Sequence, residues 1–292
     1  MEKVYVKKER SQSYWGGVRH RLGKNRRAMM SLYVLSVIVL ACIFVPLISP
    51  FSMEVTDPSR SELAPNAINW LGTDKIGRDL FTRIFYGGRI SLGIALVITA
   101  IQCVIGIVIG SIAGYYGGVV DAIVMRICEV FMCFPFLLMC ITIAAVFGNS
   151  LIVLIFTLSI LSWPSIARIV RGQILTLREQ EYMEACEALG ISDFKRIFKH
   201  LLPNVLAYVI VYATLGMASV ILTETSLSFL GLGVSPPTPT WGNMMQEARN
   251  LMAIKDKWWY WIPPGIAIFV SVMCFNLLGD GLRDAIDPKL KR

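Results

Sequence analysis

The sequence predicts an all-α integral membrane protein with six transmembrane helices, and three observations carry that prediction. The 292 residues are 55% hydrophobic and only 16% charged, with a mean hydropathy of +0.61, whereas a soluble domain holds about 25% charged residues. The apolar residues are gathered into long runs, and about 20 residues at about 1.5 Å rise each cross a hydrocarbon core of roughly 30 Å. The basic residues, finally, are concentrated in alternate loops.

The runs lie at about 29–48, 91–116, 122–147, 150–170, 205–232 and 260–280. The first follows a basic segment, 1–28, which raises the question of a secretory signal. Its apolar stretch MMSLYVLSVIVLACIFVPLI is too long for a signal core and lacks a small-x-small cleavage site. A retained first helix is expected. After it, Leu80, Phe81, Ile84 and Phe85 share one helical face, with Arg78, Asp79 and Arg83 directed elsewhere. That pattern predicts a short interfacial helix at the outer surface.

The second run carries Gly106, Gly110 and Gly114. Glycines four apart let a second backbone approach closely, which is how helices associate in lipid. The third run opens with Asp121, Arg126 and Glu129. Ionisable groups inside a span usually face the bundle interior and pair, and Arg126 and Glu129 are three apart on one face. A structural ion pair and a pore or gating role both fit. Glu224 falls near the outer end of the fifth run, where it would serve an outer gate or cap the helix at the headgroups.

Between the fourth and fifth runs lies a polar stretch, EACEALGISDFKRIFKHLLPN (184–204). A first helix is expected to end near Leu189, with Gly190 in the left-handed position that follows a helix. Ser192 is a natural N-cap for a second helix, and Asp193 favours its positive dipole end. Phe194, Ile197, Phe198, Leu201 and Leu202 then form one amphipathic face, and Pro203 is expected to begin a new segment. A DNA-reading helix-turn-helix is excluded, because the second helix runs straight into a membrane span and cannot enter a groove.

With the N-terminus inside, 20 Lys and Arg residues fall on the inner side and eight on the outer side. Positive loops stay cytoplasmic, so both termini and the 168–203 loop are predicted inside. The net charge of +8 then reads as topology and attraction to anionic lipid, not nucleic-acid binding. Seven cysteines, no CxxC and two histidines argue against a disulfide framework or a metal site. GVRHRLGKN (17–25) has the wrong glycine spacing for a phosphate-binding loop, so no ATP site and no catalytic group are expected.

The stretch at 184–204 resembles the EAA loop of bacterial ABC importer permeases through Glu184-Ala185-Cys186, Gly190 and Leu202-Pro203. Cys186 replaces the second alanine, small for small. His200 stands where the general pattern has isoleucine, and KHLLPN resembles the RHILPN of dipeptide and oligopeptide permeases. WLGTDKIGRDLFTRIFYGGRISL (70–92), ETSLSFLGLGVSPPTPTWGNMM (224–245) and NLLGDGLRDAIDPKLKR (276–292) extend the resemblance to the C-type subunit of that family over nearly the whole chain.

The resemblance implies the type I ABC importer fold. Its core would cover 89–284, with a coupling loop at about 172–203, after a first helix and external loop at 29–88 and before a short cytoplasmic tail at 285–292. It implies as partners a homologous B-type permease, two cytoplasmic ATPases and an external solute-binding protein. ATP and magnesium would be used by the ATPases, and Glu184, Ala185 and Gly190 would touch them. The expected location is the bacterial cytoplasmic (inner) membrane. Peptides are the leading cargo and nickel the alternative. An ion-coupled secondary transporter would need broken helices and midplane charges, and the spans hold few charges, which lie near their ends.

Overall fold

The computed structural model describes residues 14–53 and 55–286, and these are helical throughout their long segments. In chain order they are α1 (Tyr14–Lys24), α2 (Arg26–Ile48), α3 (Leu80–Tyr116), α4 (Gly118–Cys133), α5 (Phe136–Phe147), α6 (Leu151–Arg178), α7 (Glu181–Ala188) and α8 (Asp193–Lys195). A π-turn (Arg196–Leu201) joins α8 to α9 (Leu202–Phe229), followed by α10 (Trp241–Met244), α11 (Leu251–Asp256) and α12 (Ile262–Ile286). Five helical stretches are long and apolar enough to cross a membrane, and the bent pair α4–α5 brings the number to six if it counts as one span.

α3 is the axis of the bundle. Its three spaced glycines face α6: a Cβ at Gly106 would lie 2.6 Å from the Ile166 side chain, at Gly110 2.5 Å from the Ala167 carbonyl oxygen, and at Gly114 2.9 Å from the Arg171 carbonyl oxygen. Any side chain there would push the two helices apart, so the glycine ladder sets their separation. α2 is seated on α3 where Gly88 meets Cys42. It also meets α12 where Gly281 meets Ala28. α2 starts cleanly, because the Asn25 side chain accepts the Ala28 amide at 3.2 Å.

Three expectations need correction. The face of Leu80, Phe81, Ile84 and Phe85 does not belong to a separate interfacial helix. These residues form the first turns of α3, which runs unbroken to Tyr116. Gly87 and Gly88 do not end the helix there, because their bare backbone is what Thr240, Trp241 and Met244 pack on. The run at 122–147 is not one straight span. It bends by 80° between α4 and α5, where Pro135 has no amide hydrogen to continue the first helix. Nor does Pro203 open a new segment. The helix from Asp193 continues to Phe229, and the wider π-turn just before Pro203 makes room for a ring that would clash with the carbonyl four residues back.

α1 falls within the stretch read as a basic tail. Its Val18 is buried with Ala207 and Val211 of α9 and Ala285 and Ile286 of α12. The cysteines among the described residues are all free, and Cys42, Cys128, Cys140 and Cys274 are buried as small packing residues.

The bundle has two distinct ends. At one, the 57–79 loop and the 231–261 segment close over the starts of α3 and α12. Asp79 caps α3 by accepting the Thr82 amide at 2.8 Å and the Asn69 side-chain amide at 2.8 Å. Asp74 accepts the Ile76 and Arg78 amides and the Arg78 guanidinium at 2.6 Å, with Arg83 at 3.8 Å. Trp241 is fully buried, donating its indole N–H to the Ile84 carbonyl at 2.9 Å. The 179–203 loop lies at the other end.

Candidate functional site

α6 ends at Arg178, and α7 begins three residues later. In α7, Met183 and Cys186 are three apart and both turn inward, Met183 joining Ile166, Val170, Ile174 and Leu201 in a buried cluster. The opposite face therefore looks out, and Glu184 and Ala185 are exposed on it. Cys186 occupies a buried site, where a small side chain is what fits.

Gly190 has φ +68°, and a Cβ there would meet nothing within 4 Å. Backbone conformation, not crowding, is thus what calls for glycine. The Ile191 amide donates to the Cys186 carbonyl at 3.1 Å and the Gly190 amide to the Glu187 carbonyl at 2.9 Å. That bond pair is a Schellman motif, which closes α7 and fixes the exit direction. Ser192 has extended N-cap backbone, yet its side chain makes no capping bond.

Asp193 instead reaches sideways. Its carboxylate accepts the Tyr115 hydroxyl at 2.9 Å and the Arg196 guanidinium at 2.7 Å. Arg196 also meets Glu187 at 3.2 Å, and Arg178 donates to the Tyr115 carbonyl at 2.8 Å. Asp121 of α4 is held by Arg171 of α6 through two parallel hydrogen bonds, the strong fork geometry. These pairs bind α4 to α6, α6 to the end of α3, and the end of α3 to the α7–α8 loop.

The predicted amphipathic face splits in two. Ile197 and Leu201 are buried, while Phe194 is 68% exposed and Phe198 54%, their rings 4.4 Å apart. Leu189, on the same loop, is 78% exposed. An apolar group presented on a polar loop marks a contact surface. His200 lies on the π-turn, with its carbonyl accepting from Asn204 at 2.8 Å; Leu202 is half-buried and Pro203 exposed.

The other singled-out residues do not gather here. Arg126 and Glu129 meet at 2.7 Å but are exposed, Arg126 at 80%, so they do not face the interior of this chain's bundle. Glu224 is 1% exposed and accepts the Ser228 hydroxyl at 2.7 Å. A carboxylate enclosed to that degree, with Gly242 packed over it, is not a headgroup cap. Among the described residues no group of three or more His, Cys, Asp or Glu is placed to hold a metal ion.

Residues 106–292 match the family model described as binding-protein-dependent transport system inner membrane component. The chain belongs to that family. Residues 13–65 of this permease also match the N-terminal transmembrane domain of oligopeptide transport permease C. It is 40% identical over 279 residues to the dipeptide transport system permease protein DppC of Alkalihalophilus pseudofirmus, covering 96% of the chain and 91% of that relative. It is 41% identical over 261 residues to the glutathione transport system permease protein GsiD of Pectobacterium atrosepticum, covering 89% and 86%. With the oligopeptide transport system permease protein OppC of Bacillus subtilis the identity is 38% over 284 residues, covering 97% and 92%.

The permease is thus an inner-membrane transport component with five to six apolar spans. The motif residues Glu184, Ala185 and Gly190 were legible from the EAA pattern. Tyr115, Arg178 and Arg196, which tether the loop, were not. In the sequence Arg178 and Arg196 are two of the inner-side basic charges, and Tyr115 is the end of an apolar run.

Proposed function

We propose that this permease is the C-type membrane subunit of an ATP-driven peptide importer, with six spans and both termini in the cytoplasm. It pairs with a homologous B-type permease, receives cargo from an external solute-binding protein, and is driven by two cytoplasmic ATPases that consume the ATP and magnesium. The names of the relatives support peptide cargo, since glutathione is itself a tripeptide. The observation that carries the mechanical part is the build of the 181–203 loop: a fixed two-helix angle with an exposed apolar tip.

In this reading, closure of the ATPase pair pushes on Leu189, Phe194 and Phe198, with Glu184 and Ala185 alongside. The loop moves as one piece because the Schellman closure and the Asp193–Arg196–Tyr115 bonds fix its shape. Arg196, Asp193 and the continuous α8–α9 helix pass the push directly into a membrane span, while Tyr115 and Arg178 pass it into α3 and α6. Rigid-body rotation of packed elements about an interface is one of the recurring forms of a switching transition, and alternating access by this permease would take that form. Arg126 and Glu129, exposed on α4, fit a contact with the B-type permease or a gate, and Glu224 fits a pin for the outer gate.

Deletion of the gene tests the cargo. Growth on a short peptide as sole source of a required amino acid should stop. Loss of nickel uptake with peptide uptake intact would replace this cargo with the metal.

A further inference from the structure

Midway along the spans, α3, α5, α6 and α9 enclose an open cavity of about 200 Å³. Tyr212, Gly216, Ser219 and Thr223 of α9 line it, and so do Ser162 and Ser165 of α6. The α9 residues are spaced four, three and four apart, which places them in one stripe along a helix. Eleven residues at about 1.5 Å each make that stripe roughly 16 Å long.

Thr223 at one end of the stripe donates to the Ser219 carbonyl four residues back at 2.8 Å, as Thr142, Thr214 and Ser226 do elsewhere in the spans, the ordinary arrangement for a hydroxyl in an apolar helix. The side chains of Ser162, Ser165, Tyr212 and Ser219 face the cavity and make no hydrogen bond among the described residues. Pro164, between the two serines, has no amide hydrogen, so the Ile160 carbonyl lacks its usual partner. Gln102 spends its side-chain amide on the Leu158 carbonyl at 3.0 Å, which holds it at the cavity wall. The lining therefore offers free donors and acceptors and no group charged at neutral pH.

Gly216 keeps the cavity open. A Cβ there would approach only Thr99, at 3.9 Å. The glycine is therefore not needed for helix packing, and its missing side chain is cavity volume.

We infer that this hydroxyl stripe is the permease's share of the peptide path, and that it reads the peptide backbone and not the peptide's side-chain charge. Amide N–H and C=O groups need partners once they leave water, and rotatable hydroxyls supply both kinds. An extended chain advances about 3.3–3.6 Å per residue, so the stripe matches about four or five residues. A neutral wall accepts acidic, basic and apolar side chains alike, as a carrier of varied peptides requires. The inference rests on the peptide reading above and adds the residues that carry it.

The test is uptake of dipeptides by the complete transporter in proteoliposomes, comparing a di-acidic, a di-basic and a neutral peptide. The parental complex should move all three within a few-fold of one another. Ser219→Asp should shift the ratio of di-basic to di-acidic uptake by about tenfold toward the basic peptide, and Ser219→Lys by a similar factor the other way. Gly216→Leu should lower uptake of all three, while Gly216→Ala should not. To remove any dependence on folding with a charge in place, Ser219→Cys can be assembled neutral and then labelled with a cationic or an anionic thiol reagent. The parental complex treated alike supplies the background of the native cysteines, and the same opposite shifts are expected. Unchanged ratios in both the substituted and the labelled complexes would overturn the inference while leaving peptide import standing. A parental complex that moves no peptide would overturn the function and the inference together.

Discussion

The two ends of this permease are built on opposite principles. At the 57–79 and 231–261 end, charged and polar side chains are buried and spent on one another: Asn69, Asp74, Asp79 and Arg83 are each less than a tenth exposed and each is bonded. At the 179–203 end, the tethering bonds lie underneath, and the outward face is left open with Glu184, Leu189, Phe194 and Phe198 unspent. A closed end keeps its shape alone. An open end with a fixed backbone and an unsatisfied apolar tip has its partner elsewhere. Substitutions should therefore damage folding at the first end and transport at the second.

The largest expected effect is at the closed end. Asp74→Ala removes the partner of Arg78 and takes from buried Arg83 its nearest carboxylate, leaving it the Met53 carbonyl and the field of Glu247. Breaking a buried charge cluster from one side costs about 3–5 kcal/mol, so the permease should be recovered in low yield and melt early. Parental melting would show that the closed end is not the rigid one. In the middle of the molecule, Gly110→Leu forces α3 off α6, and overpacking costs about 1–3 kcal/mol. A lowered melting temperature in detergent checks this, and Gly216→Ala, where space exists, is the matched control.

At the open end, Gly190→Val strains a residue at φ +68° by about 1–3 kcal/mol, and no neighbour is disturbed. Yield and pairing with the B-type permease should stay near parental while uptake falls several-fold. Parental uptake by Gly190→Val would reduce the loop to a linker.

The smallest expected effect sharpens the contrast within the closed end, between its core and its rim. The Lys257 ammonium, by hydrogen bond first, holds the Glu62 carboxyl below its ordinary value of 4.5 despite some desolvation. A depressed carboxyl contributes stability above its unfolded pKa and loses it as pH falls through the folded one, here below pH 4.5. The pair is solvent-accessible, with about a third of each side chain exposed, so screening limits the cost of Glu62→Gln to at most about 1 kcal/mol at neutral pH. A melting curve at pH 7 reads that difference, which should shrink in acid.

The open end was the more legible in the sequence, and the reason is physical. Gly190 advertises a left-handed residue, Glu184 and Ala185 sit in a fixed spacing, and long apolar runs announce spans whatever they pack on. The closed end is completed by contacts between residues 150 or more apart, such as Ser91 with Trp241 and Ile84 with Trp241, and no local pattern encodes these. The same limit hid the continuity of α3. Leu80 and Ile84 look like an interfacial face until the 241–260 segment is seen covering them. The bend at Pro135 was visible as a proline, but its 80° angle is set by packing. Tyr115 gave no signal at all, because its role depends on Asp193 being brought beneath it by the turn at Gly190.

In the proposed importer the open end seats the ATPase and the closed end does not. A photoreactive side chain placed at Leu189, and separately at exposed Trp70 on the closed end, tests it in membranes holding the complete transporter. Illumination should join the ATPase subunit to the permease from position 189 and never from position 70. An ATPase adduct from position 70, or none from position 189 in a transporter that still imports, would show that the ATPase sits elsewhere.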